Sequence, residues 1–595
     1  MILKALYDYY NRCGNLPAPG MELKELSFII VIDTDGKFVR LEDRRIDNKT
    51  AQKFLVPKGI GRSSAHTPNF LWDNPAYVLG ISDANFPYDS SRLNEEKKEK
   101  KEKDRENERA KNIKCHKTFV DLVDHLAQKY PEQKDIKSLQ KFYEDQNILE
   151  KIKKDPLWPD FQKNLIKNIS FLIDGDSQIL PEKKELFTND FKKEQKRIEG
   201  YCLVTGEKAD LIETTSATSI QGSQATAKLV SFQVSSGYDS YGKKKGFNAP
   251  ISKDAEFKYT TALRSLLEKD SRNKFFVGSR TFVFWASSKD DSALAVENSV
   301  FNMFGLNGIE DDPNKNIENV KKVMQAIYSG NLKTTLDDKF YILGLSPNSA
   351  RIAVSYWKEQ PLRQFAGMIL HHFDNMNIVD TRKEKKPYVG LRTMLSAVTL
   401  CGKSSDVTPN LSEEIIKSIF EGVQYPYTLF TGCIRRIRAE SGDNSKNPVN
   451  IARAGIIKAY LNRINDNNKN IQIMLDKENR NLGYLCGRLF ATLEKIQEDA
   501  NNIHSIRERY MNAASSTPST VFATILNLSV HHAEKLNKSK QIYYEKMKQD
   551  IIDKLPANGF PSHLTLQDQG RFFVGYYQQR QDFFIKKESC EEEIQ

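Results

Sequence analysis

Residues 340–357, Phe340-Tyr341-Ile342-Leu343-Gly344-Leu345-Ser346-Pro347-Asn348-Ser349-Ala350-Arg351-Ile352-Ala353-Val354-Ser355-Tyr356-Trp357, read as a strand, a turn and a second strand. Two runs rich in aliphatic and aromatic residues flank a Ser-Pro-Asn-Ser centre, the composition of a hairpin. On its C-terminal side, from about Glu359, the period changes. Glu413 to Phe420, Ile451 to Leu461, Leu482 to Ile496, Val521 to Leu536 and Tyr543 to Leu555 repeat apolar residues at i, i+3 and i+4, separated by Asn-, Ser- or Pro-rich breaks. On its N-terminal side strands recur: Thr281 to Trp285, Leu229 to Val234, and a hairpin made of Ser27–Ile32, the turn Asp33–Gly36 and Lys37–Leu41. The predicted fold class is therefore α+β, a mixed N-terminal domain with small β-sheets and helical insertions followed by an all-α C-terminal helical bundle.

At 595 residues the chain exceeds what one core organises, which predicts two or three domains. The patterning divides it into a mixed domain at 1–358, a helical linker region at 359–470 and a helical bundle at 471–595. Inside the first lies a charged helical insertion at about 91–198. Residues 92–114 are almost all Lys, Glu, Arg, Asp and Asn with signs interspersed. Nearly balanced charge cancels the far field, so a solvated helix or flexible insertion is preferred there over a DNA-binding arm. Helical text continues to about residue 197, with a turn at Asp174-Gly175-Asp176.

Composition excludes several classes. With 39% hydrophobic and 28% charged residues and a mean hydropathy of -0.58, the chain belongs with soluble globular proteins. It has no run of eighteen apolar residues. Met1 to Tyr10 reads as a first helix rather than a secretion signal, and the expected location is the cytoplasm of a prokaryotic cell. The seven cysteines are scattered, odd in number and without a C-x-x-C pair, which argues against a disulfide framework or a zinc ribbon and fits a reducing compartment. Formal charge is +11 with a pI near 8.9. Residues 471–595 carry 16 Lys plus Arg against 16 Asp plus Glu, so the excess lies upstream and a polyanion surface is expected within the first 470 residues.

The chain lacks the G-x-x-x-x-G-K-[ST] phosphate loop, the G-x-S-x-G elbow, the H-E-x-x-H zinc helix and the G-x-G-x-x-G dinucleotide fingerprint. Two histidine pairs, His371-His372 followed by Asp374 and His531-His532, could serve a metal-dependent nuclease of the His-Asp kind. Adjacent helical residues point to different faces, however, so structural histidines are the preferred reading. Two polar loops remain. Pro57 to Asn74 and Tyr201 to Asn248 are dense in Gly, Ser, Asn, Gln and Lys. They fit either tight turns or a nucleic-acid reader, since amides can pair with adenine edges while Lys and Ser hold phosphates.

Many stretches together resemble the large-subunit family of type I-C CRISPR-Cas surveillance complexes (Cascade). They include Met1 to Leu3 with Ala5 to Tyr10, Phe54 to Lys58, Asn69 to Asn74 with Tyr77 to Gly80, and Cys202 to Gly206. Leu229 to Phe232, Ser240 to Gly242, Asn248 to Ser252, Tyr259 to Leu263 and Phe284 to Ala286 add to these. Leu343 to Asn348, Asn481 to Ala491 and Gln569 to Tyr576 complete the set. The resemblance implies a subunit without catalytic residues, metal or cofactor, acting in antiviral defence. Guide RNA reads the target, and this subunit reads a short flanking motif, the PAM, in double-stranded DNA. Its implied partners are target DNA, the CRISPR guide RNA, repeated backbone subunits, an RNA-processing subunit, helical small subunits and a helicase-nuclease recruited after R-loop formation. It also implies that Met474 can start a separately made small subunit ending at Gln595, a nearly neutral helical bundle.

On this basis the PAM-side contacts are expected at Lys58, Arg62, Ser63 and Asn69 in one loop and at Gln221, Ser223 and Gln224 in the other. Lys243, Lys244 and Lys245 are expected to hold phosphates. Ala65-His66-Thr67-Pro68 stands where relatives carry a longer Gly- and Lys-containing stretch, which bears on the shape of the first loop.

Overall fold

A computed structural model describes residues 1–60, 66–88, 95–183, 198–233, 242–304, 314–332, 338–382, 389–403, 407, 409–443, 447–464, 471–503 and 505–585. The fold is α+β with a helical C-terminal region. Two compact units emerge. One comprises Gly14–Gly200 with Lys208–Leu211, the other Met1–Cys13, Tyr201–Glu207 and Ile212–Gln595. The span 1–358 contributes to both, and the spans 359–470 and 471–595 lie together in the second.

In the first of these units the expected hairpin forms, with Phe28–Ile32 antiparallel to Phe38–Asp43. Its turn is held by Asp33, whose carboxylate accepts from the Asp35 and Lys37 amides at 2.9 and 2.8 Å. Gly36 has φ +82°, and a Cβ there would lie 2.4 Å from the Ser138 carbonyl oxygen, so only glycine fits. The layer these apolar strands require comes partly from a strand absent from the sequence reading. Ile169–Ile173 lies in text taken as helical, yet it runs parallel to Phe28–Ile32 and is buried along its length. A five-residue run buried on both faces shows no alternation, which hides it among helices.

The charged text forms one helix, Glu95–Lys129. Its second half buries Asn112, Cys115, Phe119, Val123 and Leu126 at three- and four-residue spacing against the sheet residues Phe28, Ile30 and Phe171. Its first half is solvated but fastened. Arg105 donates to the Asp83, Ala84 and Phe86 carbonyls, Arg109 Nε donates to the Ala84 carbonyl at 2.7 Å, and Lys101 and Arg105 stack on Tyr88.

The second unit is built on a four-stranded antiparallel sheet in the order Arg351–Pro361, Lys339–Asn348, Arg280–Ala286, Lys274–Val277. One face presents Val283, Trp285, Leu343 and Leu345 to the helices Ile2–Arg12 and Lys253–Leu267. The other presents Phe275, Phe282, Phe284, Phe340 and Ile342 to a core that continues through the helical half as far as Tyr577. Leu229–Gln233 is not a strand. A bridge at Lys228 to Arg351 is followed by irregular chain, and the Thr215 hydroxyl takes the Val230 carbonyl at 2.5 Å.

The expected helices appear as Pro409–Glu421, Ile451–Arg463, Leu482–Asn501, Phe522–Ala533 and Lys538–Ile552. Asn450, Asn481 and Asn537 cap three of them through side-chain acceptors, which is the role of the Asn-rich breaks. Leu482–Asn501 packs on Leu566–Asp582 with backbone touching backbone. A Cβ at Gly483 would sit 2.1 Å from the Asp568 oxygen, and one at Gly487 would sit 2.0 Å from the Phe572 oxygen. The glycine-containing text at 481–491 and 569–576 thus encodes a close helix crossing. Gly570 faces Phe430 and Ile457, so in the full chain the segment after Met474 shares its core with the helices before it. A buried ion cluster binds this half. Arg453 reaches Glu440 through both terminal nitrogens, at 2.5 and 3.0 Å, and the Ala397 and Pro448 carbonyls, while Arg436 bonds the same carboxylate.

Candidate nucleic-acid interface

The two polar loops lie in different compact units. In the first, the described backbone is held at Pro57, Lys58 and Gly59. The Lys58 amide donates to the Gly20 carbonyl at 2.8 Å, Gly59 donates to the Glu22 carboxylate at 3.0 Å, and the Trp72 indole donates to the Pro57 carbonyl at 3.0 Å. Asn69 is only 7% exposed. Its side-chain oxygen accepts from the Ile60 amide at 2.9 Å, and its own amide donates to Asp73 at 3.0 Å. Asn69 therefore closes the loop, and its side chain is turned inward. Lys58 is half-buried, while Arg62 and Ser63 lie outside the described residues.

In the second unit, residues 218–227 form a closed loop. The Thr218 amide donates to the Ala227 carbonyl at 2.8 Å, and the Arg264 guanidinium donates to the Ala217 carbonyl at 2.7 and 3.1 Å. At the tip the Ser223 amide donates to the Ile220 carbonyl at 3.0 Å with Gly222 at φ +83°, the pattern of a type II turn with glycine in its third place. The Ser223 hydroxyl accepts from the Ile220 amide and donates to its carbonyl, so Ser223 is engaged in holding the turn. Gln221 and Gln224 are exposed.

The lysine run is divided. Lys245, at φ +46°, pairs with Glu213 at 2.8 Å. Gly246 donates to the Glu213 carbonyl, and the Asn248 amide ties down the Lys243 and Lys245 carbonyls. Lys243 and Lys244 are exposed on this pinned segment. The 218–227 loop lies within the stretch 212–230, and the lysine segment is pinned to Glu213 of that same stretch. Of the ten expected contacts, the geometry presents Gln221, Gln224, Lys243 and Lys244 outward and turns Asn69, Ser223 and Lys245 toward partners within the chain. The Lys245–Glu213 pairing spans 32 positions, and no local pattern announces it.

The histidine pairs do not converge. His372 is fully buried, bonds the Tyr425 hydroxyl at 2.7 Å, and is held neutral by burial and then by Arg463, its pKa pushed down to about 3. Near it, Lys458 caps the Leu362–Met376 helix by donating to the Asp374 and Asn375 carbonyls, and its burial lowers the amine to about 8. His531 is exposed beside Glu534. Among the described residues no three His, Cys, Asp or Glu side chains gather as they would around a metal ion, so the nuclease reading finds no support.

A family model described as CRISPR-associated protein (Cas_Csd1) matches residues 6–584. The chain belongs to this family. No curated protein matches it. The match extends across the sheet, the loops and the glycine-packed helices alike, so this Cas_Csd1 member carries the family pattern in both of its compact units. Among its described residues no helix is long and apolar enough to cross a membrane.

Proposed function

We propose that this CRISPR-associated protein is the non-catalytic large subunit of a type I-C Cascade and that it reads the PAM of double-stranded DNA through the loop 218–228. Guide RNA pairing supplies target sequence specificity, and a separate helicase-nuclease cuts after the R-loop forms. The observation that carries the reading is a pre-formed turn presenting two exposed amide side chains, Gln221 and Gln224, in a unit that also exposes Lys243 and Lys244 on a segment pinned to Glu213. A glutamine amide can donate to and accept from one adenine edge at once, which distinguishes bases, whereas Lys243 and Lys244 meet phosphates and position without distinguishing. Bonds that already fix the turn lower the entropy lost on binding. Lys58, Arg62 and Ser63 of the first loop are proposed as DNA contacts in their own unit, where Asn69 holds the Ile60 amide.

The test is binding of the purified assembly to duplexes with a randomised flanking trinucleotide at fixed salt, since phosphate contacts make affinity salt-dependent. Q221A and Q224A are expected to lower discrimination between flanks by about 1–3 kcal/mol. K243A and K244A are expected to weaken all flanks evenly and to reduce the salt slope by about 1 each. Flank-independent binding by the unaltered assembly, or hydrolysis of DNA by the isolated chain, would overturn the proposal.

A further inference from the structure

The loop 218–228 does not stand by itself. It leans on the tip of the long hairpin Lys339–Asn348 and Arg351–Pro361. The Gln224 amide donates to the Ser349 carbonyl at 3.1 Å, and the Ile352 amide donates to the Lys228 carbonyl at 3.1 Å. Pro347 lies over the turn, 3.4 Å from where a Cβ of Gly222 would be. Arg351 reaches on to Gln233 at 3.3 Å.

Two features of the hairpin are unusual in themselves. Pairing runs Gly344 to Tyr356 and then Leu345 to Val354, leaving Ser355 as an extra residue. Such a bulge bends the ribbon and re-aims everything beyond it, here the tip. The two-residue connection Ser349-Ala350 has Ser349 at φ +52°, a place where primed hairpin turns ordinarily take glycine. A side chain held in that region persists where the surroundings over-determine it. Among those surroundings is the bond from the Gln224 amide to the Ser349 carbonyl.

We infer that the bulged hairpin tip is the template of the reading loop, with Ser349 and Pro347 as positioning residues that set where Gln221 and Gln224 point and so determine which flanking bases are accepted. The inference rests on the PAM-reading role proposed above. Ser349 touches no base; it acts through the Gln224 backbone.

Full-length S349V, S349G and P347A proteins in the complete assembly test it against the randomised flanking trinucleotide, with single-stranded target complementary to the guide as the control. A β-branched residue opposes positive φ and glycine accepts it. S349V is expected to compress the spread between the best and worst flanks by roughly tenfold, the scale of one base-specific contact, while S349G keeps the original ranking. Binding to single-stranded target is expected to be unchanged in both. Where S349V does not assemble, P347A removes the ring that lies over Gly222 while leaving Ser349 in place, and is read the same way. An unchanged ranking in S349V or P347A, alongside a flattened one in Q221A, overturns the template and leaves the reading loop standing. If Q221A and Q224A also leave the ranking unchanged, the PAM-reading role itself falls.

Discussion

Glycine does opposite work in two regions that both carry the family pattern. At Gly222 it opens a turn whose fourth residue and flanks are held by hydrogen bonds, and the neighbouring side chains face outward. At Gly483 and Gly487 it removes side chains so that two helices meet through their backbones. The first use makes a surface and the second makes a core. A family match covering both identifies the chain without saying which residues meet a ligand, and that distinction needs the geometry.

The comparison can be broken most forcefully in the helical half. Glu440→Ala leaves the buried guanidinium of Arg453 without its carboxylate, and denaturant unfolding is expected to show a loss of about 3–5 kcal/mol. Gly487→Ala follows, at about 3 kcal/mol, because the new methyl meets the Phe572 oxygen and a helix must move. Neither change is expected to alter flank ranking in whatever fraction still assembles; a shifted ranking would show that the helical core also takes part in reading. Asn69→Ala is expected to cost about 1–2 kcal/mol through the lost bond to Ile60, and to weaken PAM-bearing and PAM-free duplexes together. A loss confined to PAM-bearing duplex would instead make Asn69 a reader.

The smallest effect is one of pH. Burial pushes the Asp499 carboxyl up, but bonds from Lys540, Lys495 and Tyr544 outweigh it and bring the group to about 2, below its ordinary 3.8. A folded value below the unfolded one stabilises above the unfolded value, and that contribution is lost as pH falls from about 4 to about 2. Acid unfolding of Asp499→Asn is expected to lack roughly 1 kcal/mol of this dependence.

Much of the architecture was legible because its periods are unambiguous. The hairpin at 340–357, the hairpin ending at Leu41 and the amphipathic helices beyond Glu359 all stand where alternation or 3.6-residue spacing puts them. Ile169–Ile173 was illegible because a strand covered on both faces has no polar beat. Leu229–Gln233 misled because β-branched text there is pinned by the Thr215 side chain and not by a full ladder. For the candidate site, the loops were legible from composition, but orientation was not. Asn69 and Lys245 have the residue types of contacts, and only their partners reveal that Asn69 faces inward to the Ile60 amide and that Lys245 is paired with Glu213 at the surface.

The fastened helix Glu95–Lys129 offers one practical return. Each residue advances it by about 1.5 Å, so Lys97 and Lys111, both exposed, stand roughly 21 Å apart along a rod gripped at Arg105 and Arg109. Paired spectroscopic labels at those positions form a built-in ruler, a fixed internal length against which rearrangements elsewhere in the assembly can be calibrated.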